Sequence, residues 1–235
     1  MRKVEIALPK SERLLTEAYQ IFLNVGYESS GLEREIKSNE RKQLEFESDC
    51  GRVVFMLVRP SEIPQYVDKN WADFGIARSD AYREYELSSV STKSSMRGDN
   101  FLTDVMPDFK LCKNSRLCVA GIPNKHDFYN KCKSNSEKVL TVATSFPYIS
   151  ANYFKTKGIL VDIITVTGSV ELMPKHADAD VIFDIVESGR ALKENGLEIF
   201  EEAMPIQTRL LVSKAALKYD PNISKLLEEL KNETK

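Results

Sequence analysis

The amino-acid sequence predicts an α/β protein, because short apolar runs alternate with amphipathic segments along most of the chain. The 235 residues, of which 42% are hydrophobic, can bury the core of one large domain or of two small ones. A change in composition near residue 100 favours two lobes. We therefore predict a discontinuous first lobe of residues 1–100 and 191–235, and a second lobe of residues 101–190.

The first half of the chain contains the predicted elements of the first lobe. The run VEIAL (4–8) predicts a strand, and apolar residues at helical spacing predict a helix from Leu14 that Gly26 ends. The run VVFMLV (53–58) predicts a buried strand, which a short helix capped by Ser61 and a strand at 72–77 follow. The polar, serine-rich residues 84–100 are typical of a loop or crossover.

The second half repeats the alternation of strands and helices. Strands are predicted at 116–122, 139–144, 159–166 and 180–186, with a helix at about 147–157. The tail predicts a helix with four apolar residues on one face, and packing against its own lobe is favoured over a partner surface: Ile223, Leu226, Leu227 and Leu230.

Charge, targeting and cysteine content exclude several classes of function. A formal net charge of -2 gives no general reason to expect nucleic acid or a membrane surface as partner. The N-terminal sequence MRKVEIALPKSERLL lacks the apolar core of a signal peptide, so we expect a cytoplasmic location. The four cysteines form no C-x-x-C pair and are accompanied by two histidines, which argues against zinc and disulfides.

The segment DVIFDIVESGRALKENG (180–196) places polar residues directly after a buried strand. Asp184 is expected near the end of the strand, and residues 187–190 form the turn into a helix. Such a turn can offer backbone N–H groups to a phosphate while the carboxylate holds sugar hydroxyls. The alternative is that Ser188 only caps the helix and Asp184 is solvated. This segment alone leaves both interpretations open.

The segment VTGSVELMP (166–174) contains a second strand, Gly-Ser turn and helix start. Glu171 falls in the first turn of that helix, where it can complement the helix dipole in an ordinary capped helix. Two such turns close together in sequence favour instead a ligand with more than one phosphate.

Several stretches in order along the chain resemble one enzyme family. GSVELMP followed by ADADVIFDIVESGRALKENGL resembles the signature region of the ATP phosphoribosyltransferase family, and ALPKSERL (7–14) is similar to its basic turn. FMLVRPSEIPQYVDKNWADFGIARSD (55–80) and TVATSFPYISANYFKTKGI (141–159) resemble two further family segments. The chain is similar to the short form of the family.

This resemblance implies a reaction, a cofactor and a fold. The family transfers 5-phosphoribose from phosphoribosyl pyrophosphate to the adenine ring of ATP and releases pyrophosphate, with Mg²⁺ present. The reaction is the first step of histidine biosynthesis. The implied fold has two lobes resembling type II periplasmic binding proteins, with the active site in the interlobe cleft and the phosphoribosyl-binding loop in the second lobe.

The resemblance also assigns roles to individual residues, and it assigns no protein ligand to the metal. The catalytic candidates are Lys10, Arg13, Glu171 and Asp184. The candidates for binding phosphoribosyl pyrophosphate are Gly168, Ser169, Asp180, Asp184, Glu187, Ser188, Gly189, Arg190 and Ala191. The candidates for binding ATP are Lys10, Arg13, Arg59, Gly75 and Arg116.

Three positions depart from the family pattern: Glu12 and Arg78 stand where the family commonly has glycine, and Ala191 stands where it has threonine. They motivate the alternative of a weakened or non-catalytic paralogue that binds nucleotide or phosphoribosyl pyrophosphate. An extracytoplasmic solute-binding protein is a further alternative, which the missing export signal argues against. The expected partners are a regulatory subunit resembling histidyl-tRNA synthetase, a homo-oligomer, or both, with neither nucleic acid nor membrane.

Overall fold

The computed structural model describes residues 2–38, 43–91, 101–102, 115–134 and 137–233. The chain divides into two compact units. The first unit comprises Met1–Cys112 and Gln207–Lys235, and the second comprises Lys113–Ile206. In the described part of the chain, none of the helices is both long and apolar enough to traverse a bilayer.

The sequence analysis predicted that the chain returns to the first lobe at residue 191, but in the structure it returns at Gln207. Helix α8 (Arg190–Glu194) and strand β10 (Glu198–Pro205) both belong to the second unit. Strand β10 stays there because it pairs antiparallel with β6 (Arg116–Gly121). Composition did not reveal β10 because it is an edge strand with three glutamates and few buried side chains.

A six-stranded sheet in the order β2-β3-β1-β4-β11-β5 forms the centre of the first unit. Strand β1 is parallel to both β3 and β4, so the carboxyl ends of these three strands lie at one edge. In chain order the strands are β1 (Val4–Pro9), β2 (Glu45–Glu47), β3 (Val53–Val58), β4 (Phe74–Arg78), β5 (Phe101–Leu102) and β11 (Thr208–Ser213).

Helices cover this sheet with the apolar faces that the sequence pattern indicates. In chain order they are α1 (Glu12–Leu23), α2 (Ser30–Ser38), α3 (Ile63–Asp68), α4 (Ser79–Ser91), α9 (Lys214–Tyr219) and α10 (Pro221–Glu233). The predicted tail face is buried in the same cluster as Ile6 and Phe55, so its packing against its own lobe is confirmed. Burial of this leucine-rich face stabilises α10 as a tertiary element.

The structure corrects two local predictions in the first unit. Residues 84–91, predicted as loop, belong to α4, while residues 92–100 lie outside the described part of the chain. The helix forms because Tyr82 and Tyr85 pack on a buried cluster, and Tyr85 donates to Asp68 Oδ2 over 2.9 Å. Helix α3 begins after Glu62 rather than at a Ser61 cap.

The second unit is built on a five-stranded sheet in the order β10-β6-β9-β7-β8. Strand β7 is parallel to β8 and β9, whereas β6 is antiparallel to β9. The carboxyl ends of β7, β8 and β9 therefore share one edge with the start of β6. The elements not yet given are β7 (Val139–Thr144), β8 (Leu160–Thr165), β9 (Val181–Val186), α5 (His126–Ser134), α6 (Pro147–Thr156) and α7 (Met173–His176).

Candidate active site

The turn after β9 begins helix α8 at a glycine. Gly189 has φ 72° and ψ 5°, a left-handed conformation that glycine adopts without steric cost, and it forms no side-chain cap. The Ser188 hydroxyl accepts from the Arg190 N–H over 3.4 Å, at the long end of the hydrogen-bond range. Gly189 itself supplies no capping side chain, and the first backbone N–H groups of a helix have no intrahelical acceptors, which is the arrangement that a phosphate cradle needs.

A cavity of about 210 Å³ opens beside this turn in the second unit. It is smaller than the pockets of roughly 300–1,000 Å³ that enclose drug-sized ligands, and it suits a phosphate with part of a sugar. The structure brings together seven predicted residues in its lining: Glu171, Asp184, Glu187, Ser188, Gly189, Arg190 and Ala191.

Strand periodicity explains why Asp184 faces this cavity. Alternate residues of a strand share a face, and Ile182 and Val186, on either side of Asp184, belong to one buried cluster with Leu192 of α8. The apolar neighbours fix the strand against the helix, and Asp184 is half-buried between them. The same packing that holds α8 in place therefore holds a carboxylate at the cavity.

Glu171 reaches the cavity from the second predicted turn. Ser169 adopts the left-handed conformation with φ 52°, and its carbonyl accepts from the Leu172 N–H over 3.1 Å. Gly168 and Ser169 are exposed, and neither is among the residues lining the cavity. The structure thus brings Glu171, but not Gly168 or Ser169, to the residues of the β9 turn.

Asp180 lies at the other end of β9. Its Oδ1 pairs with Lys125 Nζ over 2.8 Å, and its Oδ2 accepts from the Thr141 N–H over 3.1 Å. Both carboxylate oxygens are engaged by the protein, and the residue is buried. The structure gives Asp180 a structural role and does not place it with the other predicted ligand residues.

Arg116 begins β6, opposite Val186 at the end of β9. Its Nε pairs with Glu202 Oε1 over 2.6 Å, and its Nη1 donates to the Glu187 carbonyl over 3.4 Å. The neighbouring Ser115 hydroxyl donates to Glu187 Oε1 over 3.2 Å. Sequence reasoning missed Ser115 and Glu202, because neither belongs to a motif and their contacts depend on strand pairing.

The remaining predicted residues for ATP lie in the first unit. Lys10 follows β1 and its N–H donates to the Val58 carbonyl over 2.8 Å, so Lys10 and Arg59 follow two paired strand ends. Arg59 is exposed and lies 3.7 Å from a carboxylate oxygen of Glu62. The side chains of Glu12 and Arg13 lie outside the described part of the structure.

Gly75 and Arg78 of β4 have local structural explanations. A Cβ at Gly75 would lie 2.6 Å from Ile63 Cγ2 and 2.9 Å from Val67 Cγ2, so glycine is required for packing under α3. Arg78 forms a two-pronged ion pair with the buried Asp80, at 3.0 and 2.7 Å. Neither residue needs a ligand to account for its identity.

Comparison with known proteins identifies the family. A family model described as ATP phosphoribosyltransferase matches residues 59–232. The chain belongs to the ATP phosphoribosyltransferase family. It is 36% identical over 220 residues to the ATP phosphoribosyltransferases of Bacillus cereus strain AH820 and of Bacillus anthracis, which covers 93% of this chain and 90% of each relative. The predicted family is therefore confirmed.

Solved structures support the family and the fold. A chain of the ATP phosphoribosyl transferase (HisG:HisZ) complex from Thermotoga maritima matches with a TM-score of 0.72 and 26% identity, over 98% of both chains. The periplasmic aliphatic sulphonate binding protein SsuA from Escherichia coli matches 100% of this chain and 69% of its own, with a TM-score of 0.53 and 12% identity. The second likeness concerns the fold alone, and it confirms the predicted resemblance to periplasmic binding proteins.

Proposed function

We propose that this protein transfers 5-phosphoribose from phosphoribosyl pyrophosphate to the adenine ring of ATP, with release of pyrophosphate, as the first step of histidine biosynthesis. The observation that carries the proposal is the cavity in which Asp184 and Glu171 meet the glycine turn at Gly189. Family membership supplies the reaction, and the cavity supplies groups suited to a sugar phosphate.

The charges in the cavity indicate different positions for the phosphate and for the ribose of the substrate. Three carboxylates line it, from Glu171, Asp184 and Glu187, and these would repel a phosphate while accepting hydrogen bonds from hydroxyls. The turn at residues 188–191 instead offers backbone N–H groups and the cation of Arg190. The 5-phosphate is therefore assigned to the turn, and the ribose hydroxyls to Asp184.

The same carboxylates suit the transition state of glycosyl transfer. Positive charge develops on the ribose ring as its bond to pyrophosphate breaks. The carboxylates of Asp184 and Glu171 would stabilise that charge more strongly than they stabilise the neutral ring of the ground state. Lys10 and Arg13 remain the candidates for the phosphates of ATP and the departing pyrophosphate, which gains negative charge in the same step.

Mg²⁺ fits this chemistry as an ion held mainly by the substrate. Among the described residues no group of three or more histidine, cysteine, aspartate or glutamate side chains is arranged to hold a metal ion. Mg²⁺ bound with nucleotides usually takes one or two carboxylates together with phosphates and waters. Glu171 and Asp184 can supply those carboxylates, and the ion would neutralise charge on the pyrophosphate leaving group.

A second protein is the proposed regulator. The similar chain from Thermotoga maritima was solved in a HisG:HisZ complex, which supports a partner of the HisZ kind for this protein. In line with the sequence, we propose a subunit resembling histidyl-tRNA synthetase, alone or together with self-association. The proposed location is the cytoplasm, and fractionation of cells that express the protein tests it.

The decisive experiment mixes the purified protein with ATP, phosphoribosyl pyrophosphate and Mg²⁺ and follows the ultraviolet absorbance of the adduct and the release of pyrophosphate. We expect one pyrophosphate per adduct, no signal without phosphoribosyl pyrophosphate, and loss of signal with a chelator. A parallel arm adds the candidate partner. Binding of phosphoribosyl pyrophosphate without any pyrophosphate release, in both arms, would overturn the proposal in favour of the non-catalytic alternative.

A further inference from the structure

Arg116, the first residue of β6, and Ser115 directly before it contact the loop that follows β9. The antiparallel register pairs Arg116 with Val186, which places Ser115 beside Glu187. Ser115 is buried, and its carbonyl accepts from the Ile206 N–H over 2.8 Å, so its position is fixed from the other side. Glu187 is exposed at the start of the turn, where an unsupported side chain would populate several rotamers.

These residues grip both the backbone and the side chain of Glu187. The Ser115 hydroxyl donates to the Glu187 carboxylate over 3.2 Å, and Arg116 Nη1 donates to the Glu187 carbonyl over 3.4 Å. Glu202 of β10 pairs with Arg116 Nε over 2.6 Å and so holds the guanidinium in place. Strands β6 and β10, together with Ser115 directly before β6, therefore support the loop that follows β9.

We propose that Ser115, Arg116 and Glu202 are positioning residues for phosphoribosyl pyrophosphate, and that Arg116 acts through Glu187 rather than by contacting ATP. This inference rests on the proposed function. Arg116 is absent from the cavity lining, whereas Glu187 lines it, so the contact of Arg116 with the cavity wall runs through the Glu187 carbonyl.

Peptide geometry explains how a hold on one carbonyl can orient a binding group. The C=O and N–H of a trans peptide point in opposite directions. Fixing the Glu187 carbonyl toward Arg116 therefore directs the Ser188 N–H away from Arg116, within a turn that lines the cavity. A loop fixed before the ligand arrives loses less conformational entropy on binding.

The test compares Ser115→Ala and Glu202→Gln with Glu198→Gln, a matched exposed glutamate earlier on β10. For Ser115→Ala we expect KM for phosphoribosyl pyrophosphate to rise roughly tenfold, as loss of a hydrogen bond to a charged group predicts. For Glu202→Gln we expect a rise of about threefold, because this glutamate is 61% exposed. In both variants KM for ATP and kcat stay at wild-type values, and Glu198→Gln changes neither KM.

Further results separate this inference from the proposed function. A rise in KM for ATP in Glu202→Gln, with KM for phosphoribosyl pyrophosphate unchanged, would overturn the inference, since Arg116 would then act on ATP. If the wild type binds phosphoribosyl pyrophosphate but forms no adduct, the proposed function fails, and calorimetric dissociation constants of the same variants still decide the positioning role. Unchanged dissociation constants in both variants would contradict the positioning role. A wild-type protein that does not bind phosphoribosyl pyrophosphate would contradict both proposals. If Ser115→Ala unfolds at a lower temperature than the wild type, Glu202→Gln alone decides the test.

Discussion

The two aspartates of the β9 segment carry the same side chain four residues apart, yet their surroundings differ. Asp180, before the strand, is buried and has both oxygens engaged by Lys125 and the Thr141 N–H. Asp184, near the carboxyl end, lines a cavity with Glu171 and the glycine turn. At the Asp180 end of the strand, other protein groups bind the carboxylate. At the Asp184 end, polar groups line a cavity that a ligand can fill.

This difference follows from the direction of the strands. The carboxyl ends of β7, β8 and β9 meet at one edge, where turns lead into helices whose first N–H groups have no intrahelical acceptors. Ligands in open α/β sheets bind at that edge for the same reason. In a motif such as DVIFDIVESGRALKENG, the direction of the strand therefore decides which residues can bind a ligand. Those at its carboxyl end can, whereas those at its amino end bond within the protein.

The largest effect is expected at the cavity end of the strand. Asp184→Asn removes the charge that we assign to the ribose, so kcat/KM for phosphoribosyl transfer should fall by roughly a hundredfold or more. The midpoint of thermal unfolding should change little, because asparagine keeps the size of the side chain and one of its acceptor oxygens. Steady-state kinetics and calorimetry measure both quantities.

The control for Asp184→Asn is Asp162→Asn on β8, an exposed aspartate of the same sheet. Its kinetics should match those of the wild type. Near-normal turnover in Asp184→Asn would contradict the assignment of the cavity to the sugar.

Glu201 of β10 is, like Asp180, a carboxylate whose oxygens bond to other groups of the protein. Glu201 accepts hydrogen bonds from the hydroxyls of Tyr129 and Tyr153, each over 2.7 Å, and pairs with Lys133 and Lys157. Burial works against the ionised form, but the hydrogen bonds from the two lysines and two tyrosines outweigh it and hold the pKa of Glu201 well below its usual value.

Because the folded-state pKa of Glu201 is lowered, its stabilising contribution is present above the ordinary value of 4.5 and is lost as pH falls below it. Glu201→Gln should therefore reduce the free energy of unfolding at pH 7 by about 2 kcal/mol. Urea unfolding at pH 7, 5 and 3.5 tests this expectation. The gap between wild type and variant should narrow at pH 3.5, and a gap that stays constant with pH would show that charge is not the cause.

The sequence predicted those features that are encoded locally. The strand at 180–186, the glycine turn and the apolar tail face follow from short-range patterns, and resemblance to one family supplied the fold. The contacts of Ser115 and Glu202 could not be predicted, because each joins residues more than 70 positions apart through an antiparallel pairing that no motif marks.

Elements without a clear pattern were the ones that sequence reasoning misplaced. The helix at residues 84–91 contains several serines, and tertiary packing of Tyr85 overrides their turn preference. Gly75 shows the opposite case, in which a residue that resembles a ligand contact is explained by close packing against Ile63 and Val67.

A smaller effect, on stability rather than catalysis, is expected at the other end of β9. Asp180→Asn weakens the ion pair with Lys125 while keeping an oxygen for the Thr141 N–H, so the free energy of unfolding should fall by about 1.5 kcal/mol. The KM values and kcat of the folded fraction should stay at wild-type levels. A change in KM for phosphoribosyl pyrophosphate without any loss of stability would place Asp180 in the binding site after all.

The smallest effect is expected when a single methyl group is added to a glycine that lines the cavity or to one that does not. Gly189 and Gly158 have nearly the same left-handed φ, 72° and 70°, and neither has an atom within 3.4 Å of an added Cβ. Alanine at either position should therefore cost the same stability, about 1 kcal/mol. Only Gly189 lines the cavity, so only Gly189→Ala should raise KM for phosphoribosyl pyrophosphate. Equal kinetics in the two variants, despite equal losses of stability, would mean that the turn supports the fold without touching the phosphate.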